Sequence, residues 1–212
     1  TALVMGGAIT GALGLTVKAA AEGQAKMASL HATLASMGQD TPKVTDSILK
    51  AADAAVKLGF DNEDAALSIT KFFQRTKDVN TALSLNKTAM DLARAKNIDL
   101  ATASNLVNQA LSGNGRVLSA YGISIKEAAT PLEALGQLQE VVGGQSDAFS
   151  KTFEGQLQIF NASSQQLMQT IGAQLLPILT QLIEKISPWI TKLMEWIELH
   201  PKLTQGIVLG VA

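Results

Sequence analysis

Apolar residues recur along this chain at helical spacing, and no stretch alternates with period two over the length of a strand. The pattern predicts an all-α protein: a compact stack of short antiparallel helices, then one long amphipathic, coiled-coil-like helix with proline kinks. The chain opens with an apolar run, Thr1 to Val17, broken by Gly6, Gly7, Gly11 and Gly14 and free of charge before Lys18. An Ala-rich helix follows, so residues 1–40 form a first segment. Residues 41–142 form the helical stack, 143–152 a hinge around Val142-Gly143-Gly144-Gln145-Ser146-Asp147, 153–199 the long helix, and 200–212 the start of a second apolar segment.

Within the stack the punctuation is local and repeated. Thr41-Pro42 reads as an N-cap with proline at the first helical position. Ser124 to Glu127 and Thr130 to Glu133 have the spacing of capping boxes. One corner occurs three times: Gly59-Phe60-Asp61 leading to Ala65, Asn97-Ile98-Asp99 leading to Ala103, and Gly122-Ile123-Ser124 leading to Ala128. Each begins with a residue that tolerates the left-handed conformation, continues with an apolar staple, and ends on a side chain able to cap the next helix. The spacing is too irregular for a solenoid repeat.

Beyond the hinge the stripe changes character. Phe153, Leu157, Phe160, Ser164, Leu167 and Ile171 step by four and three, as a coiled-coil seam does. The stripe resumes as Leu175, Ile178, Leu182, Ile186, Trp189, Leu193 and Trp196, with local departures from the heptad that relax a supercoil. Phe153, Leu157, Phe160, Leu167, Ile171 and Leu175 are therefore the candidates for self-association. Pro177 and Pro188 would kink or break the helix. From Gly155 through Ile183 no residue is charged, yet Gln156, Gln158, Gln165, Gln166 and Gln169 crowd together. Such amides argue against a membrane span and for a helix facing a narrow, wet space among other helices, with a helix lying in a membrane interface as the alternative. Asn161, Ser164 and Thr180 lie on or near the seam, where polar residues set register in an oligomer.

Composition narrows the class. Hydrophobic residues make up 47% but aromatics only 4%, so the apolar content is mostly Ala, Leu, Ile and Val, suited to close helix contact. A net charge of −1 excludes bulk attraction to nucleic acid, and the densest basic group, Lys71, Arg75 and Lys77 beside Asp78 and Glu63, reads as a solvated helix face. Without cysteine there is no disulfide framework or thiolate metal site. The first apolar run is short of the roughly 20 residues of a bilayer span. It lacks a signal peptide's basic start and cleavage site. Gly7 and Gly11 have small-xxx-small spacing, placed for close packing in a bundle or for insertion into a membrane. Both ends read as cut from a longer chain.

Catalytic chemistry is not visible. His31 and His200 are the only histidines, and neither has a second ligand at metal-binding spacing or a nucleophile elbow to serve. Gly113-Asn114-Gly115-Arg116 lacks the lysine and hydroxyl of a phosphate loop and reads as a turn. Glu127 and Glu133 sit at capping positions. The expectation is a non-enzyme with no cofactor and no metal.

In succession, several stretches resemble the phage tail tape measure family. Gly14 to Met37 (GLTVKAAAEGQAKMASLHATLASM) resembles its apolar segment and Ala-rich helix, and Leu58 to Ile123 is similar to a helical block that many members carry. Ile171 to Ile190 (IGAQLLPILTQLIEKISPWI) and His200 to Ala212 (HPKLTQGIVLGVA) resemble the apolar helix and membrane-like segments. The short helices of 41–142 depart from a plain ruler coil. The resemblance implies a virion protein assembled in the host cytoplasm. It would lie in the tail-tube lumen and govern tail length and assembly. Release at infection would help DNA through the cell envelope. Implied partners are a second copy of itself (a cyclic homo-oligomer, for instance a trimer), tail tube and tail tip proteins, and the host membrane after release, with no specific nucleic-acid binding. The rival reading is a membrane-active, pore-forming helical protein with no ruler role.

Overall fold

A computed structural model of the protein describes residues 2–125 and 130–200, and for residues 2–13 and Pro131 the backbone alone. The described residues contain eight α-helices and no strand: α1 (Ala2–Ser36), α2 (Pro42–Val56), α3 (Asn62–Thr76), α4 (Val79–Lys96), α5 (Leu100–Leu111), α6 (Pro131–Val142), α7 (Gln145–Ser150) and α8 (Phe153–Leu199). A 3₁₀ turn, Gly115–Tyr121, follows α5.

The corners form as their residues dictate. Gly59 has φ +78°, and Phe60 N–H reaches back to the Ala55 carbonyl at 3.2 Å. Asp61 then caps α3 by accepting from Asp64 N–H at 3.0 Å. Glycine is required at 59 twice over, since a Cβ there would also lie 3.1 Å from Gln158 on α8. The second corner repeats the design. Asn97 has φ +50°, Ile98 N–H bonds the Ala93 carbonyl at 3.0 Å, and Asp99 caps α5 through Thr102 N–H at 2.7 Å. Ala65 and Ala103 are fully buried where each new helix meets the core. At the third corner Gly122 has φ +68° and Ile123 N–H bonds Leu118. The continuation to Ala128, with the box at Glu127, lies outside the described residues. Thr130 and Glu133 do form a capping box on α6. The α3–α4 corner carries no sequence signal, because Lys77 takes the left-handed C-cap position at φ +57°.

The core is one cluster around Ile48, Ile69, Phe72, Phe73, Leu85, Leu92, Val107 and Leu138, and Leu30 and Leu34 of α1 are fully buried in it. The end of the first segment thus belongs to the stack. The stretch read as a hinge carries α7, held against α4: the buried Asp91 carboxylate accepts from Gly144 N–H at 3.1 Å, Ser146 N–H at 2.9 Å and the Ser146 hydroxyl. Arg94 of α4 closes the same side, its guanidinium 3.9 Å from the Phe60 ring centroid and 4.6 Å from that of Phe149. It also donates to the Leu58 and Gly59 carbonyls. Burial lowers its pKa from the ordinary arginine value, with Glu154 opposing.

The 47-residue helix α8 spans roughly 70 Å at about 1.5 Å per residue. The helix runs unbroken through Pro177 and Pro188, so neither proline ends it. Having no N–H, they cannot make the usual helix bonds to the Ala173 and Glu184 carbonyls four residues back.

Candidate interaction surface and the groove between the long helices

Helix α8 has two stripes, and the structure puts them on opposite sides. The inner stripe is small and amide-rich: Gly155, Ile159, Ala162, Gln166, Gln169 and Gly172 are all buried or half-buried. It runs antiparallel to α1, with Gly172 beside Thr16 and Ala20 and Gln169 beside Gly23. A Cβ at Gly172 would stand 2.1 Å from the Thr16 carbonyl oxygen, so only glycine allows this crossing. Two of the crowded glutamines make their hydrogen bonds here. Gln166 donates to Asp53 at 3.0 Å and Gln169 to Glu63 at 2.8 Å, while Gln156 donates to the Ser150 carbonyl.

The seam residues face the other way. A step of two residues turns a helix by about 200°, so a stripe starting at Phe153 opposes one starting at Gly155. Phe153 is 87% exposed, Phe160 67% and Leu167 60%, and Leu157 and Ile171 are exposed as well. Leu175 is half-buried. The outward stripe continues through Ile178, Leu182, Ile186, Trp189 and Leu193. The structure thus brings five of the six self-association candidates onto one free face. Of the register candidates, Asn161 is exposed and Ser164 half-buried, and the Thr180 hydroxyl donates to its own helix at the Leu176 carbonyl. Gly7 and Gly11 lie within α1, but their surroundings fall outside the described residues.

Below the crossing, α1, α3 and α8 enclose a groove of about 780 Å³, lined by Ala20, Gly23, Met27, Leu176 and Pro177 and by the polar Glu63, Gln169, Thr180 and Glu184. Glu63 is only 4% exposed. Burial first, then the neighbouring Asp61 carboxylate, push its pKa up to about 7, with Gln169 and Lys26 opposing. Lys26 lies 2.9 Å from Asp64 and 3.6 Å from Asp61. Burial pulls its pKa down, but these carboxylates outweigh that and hold it above the ordinary lysine value. A perturbed carboxyl beside a groove is the kind of group an acid–base enzyme uses. Here it is occupied in helix contact, with Gln169 on one oxygen and the α1 backbone at Gly23 against the other.

Sequence reasoning placed Glu63 beside a solvated face and missed this site. Lys71, Arg75 and Lys77 do lie on such a face. The one local signal was that Glu63 falls in the first turn of a helix already capped by Asp61, which groups two carboxyls without saying what covers them. The α1–α2 loop brings His31 Nδ1 to 3.0 Å from Asp40, a pairing that sequence spacing alone did not show. No group of three or more His, Asp or Glu side chains among the described residues is arranged to hold a metal ion. His200 stacks on Trp196 with ring centroids 4.8 Å apart. No helix among the described residues is long and apolar enough to cross a membrane. Comparison of the chain with protein families, with characterised proteins and with solved structures yields no match.

Proposed function

We propose that this chain is a non-catalytic segment of a phage tail tape measure protein. In this reading it lies in the tail-tube lumen, takes part in tail length and assembly, and is released at infection. One observation carries the reading. A 47-residue helix is anchored along a narrow stripe of small and amide residues, and it leaves an apolar stripe from Phe153 to Leu193 facing outward, interrupted only at the half-buried Ser164 and Leu175. A stripe of that length on one helix face suits lateral pairing with identical helices along a common axis, and burying each Leu, Ile or Phe favours association by about 1.5–3 kcal/mol. In the assembled state α8 would form a cyclic coiled coil, for instance a trimer, relaxed or kinked near Pro177 and Pro188, touching tail tube and tip proteins.

The test is tail length by electron microscopy after in-frame deletions within 153–196 of the parent protein. Tails shortened by about 1.5 Å per residue removed are the ruler result. Tails of normal length on non-infectious particles would move the segment's role to release and envelope passage. A source that makes no tails would end the reading.

The distal half of α8 favours one alternative, a membrane-active protein with no ruler role. Trp189, Ile190, Leu193 and Trp196 are exposed together there, as on helices that lie in a bilayer interface. Salt-insensitive leakage of liposomes by the isolated chain would favour that alternative, and intact liposomes with an oligomer in water would exclude it.

A further inference from the structure

The pair of long helices meets the stack at a three-helix junction, and one titratable side chain sits in it. Glu63 of α3 takes Gln169 Nε2 of α8 at 2.8 Å. It also stands so close to α1 that a Cβ on Gly23 would lie 2.7 Å from its Oε1. The charges around it are unbalanced. From α3 itself come Asp61 and Asp64, while Glu184 of α8, which lines the far end of the groove, stands roughly 22 Å along the helix from Gln169. The α1 cation Lys26 faces the two aspartates. Asp53 of α2 is taken by Gln166 and Asn62. On α4, Lys87 is engaged by Asp147, Asp91 by Ser146 and Arg94 by two phenyl rings. Helix α5 meets α3 through the neutral Ser68–Ser104 contact at 2.7 Å. A neutral acid suits this junction, whereas a further negative charge, taken from water and set beside Asp61, does not.

We propose that Glu63 is a proton-operated latch: protonated, it holds the α1–α8 pair against α3, and ionised, it lets the pair part from the stack at the level of Gly23 and Gln169. Leu30 and Leu34 keep the C-terminal end of α1 in the core in either state, so the motion is an opening of the groove and not a loss of the fold. The carboxyl's pKa of about 7 places the end of the transition near neutrality. The latch needs nothing from the tail reading, and it stands or falls on the junction alone.

Because the chain has no cysteine, spin labels can be placed cleanly on the exposed positions Lys71→Cys and Gln174→Cys of the full chain. Pulsed electron paramagnetic resonance then measures the distance distribution from pH 4.5 to 8.5. The ratio of open to closed forms should rise with pH from about 4.5 and level off above about 7, by roughly 100-fold overall. Glu63→Gln, which keeps the acceptor for Gln169 and supplies donors where the proton was, should stay closed throughout. Asp61→Asn keeps the N-cap, since Asn caps as well as Asp, but removes the neighbouring charge. It should bring the plateau to lower pH with a smaller total change. A distribution that ignores pH in the parent chain overturns the latch. So does a Glu63→Gln response as steep as the parent's, or an Asp61→Asn plateau left in place.

Discussion

Gly172→Ala tests the crossing that holds the two long helices together, and two effects of opposite sign compete in it. Replacing an interior helical glycine by alanine ordinarily stabilises by about 1 kcal/mol, because glycine loses more backbone freedom on folding. Here the new methyl would lie 2.1 Å from the Thr16 carbonyl oxygen and 2.7 Å from Ala20 Cβ. Cβ contacts essentially never fall under 3.0 Å, and a carbonyl within a helix cannot swing aside, so α1 and α8 must move apart. Overpacking of this kind costs about 1–3 kcal/mol, and separation also exposes Ala20, now buried. The expected balance, with the exposure of Ala20 added, is a net loss of up to about 2 kcal/mol. Gly136→Ala is the matched control: Gly136 also lies inside a helix, but nothing stands within 4 Å of its Cβ position, so only the gain of about 1 kcal/mol should remain. Urea unfolding followed by far-ultraviolet circular dichroism reads both, as a lower midpoint for the first and a higher one for the second at equal slope. If Gly172→Ala matches or exceeds the parent midpoint, the close crossing is wrong.

Asp91→Ala should cost about 3 kcal/mol in the same assay, because it strands the buried Ser146 N–H and hydroxyl and also removes the partner of the part-buried Gly144 N–H; a loss under about 1 kcal/mol would mean α7 is held by other means. Leu167→Gln with Phe160→Ser should leave the midpoint within about 0.5 kcal/mol, since both side chains are exposed. The same pair should abolish any oligomer seen by sedimentation velocity, and an oligomer that survives would place self-association elsewhere. Glu63 is expected to make stability fall as pH rises from 4.5 to about 7, because over that window the unfolded chain gives up a proton that the folded chain keeps. At pH 8, Glu63→Gln should therefore exceed the parent by up to about 3 kcal/mol, less whatever opening of the groove relieves, and match it at pH 4.5. Equal stability at both pH values would remove the charge penalty from the argument.

The corners at Gly59 and Asn97 and the caps at Thr41, Asp61, Asp99 and Thr130 were legible in the sequence, because capping is settled within about five residues of chain. The left-handed Lys77 was not, since nothing local favours a lysine there and the packing of α3 against α4 imposes it. The period of α8 was equally plain, but period alone does not say which of two stripes turns inward. The small and amide stripe goes inside because Gly155 and Gly172 let backbones approach to a distance no leucine permits, which leaves the bulkier stripe to solvent. Glu63 was hidden for a related reason. Its cover is a glutamine 106 residues further along the chain, and without that cover it is one more acid in a first helical turn. The sequence by itself determined where helices start, stop and turn, because those choices rest on contacts within a few residues. Only the tertiary structure decided which face of α8 is free and which carboxyl is buried, because desolvation depends on what arrives from distant parts of the chain.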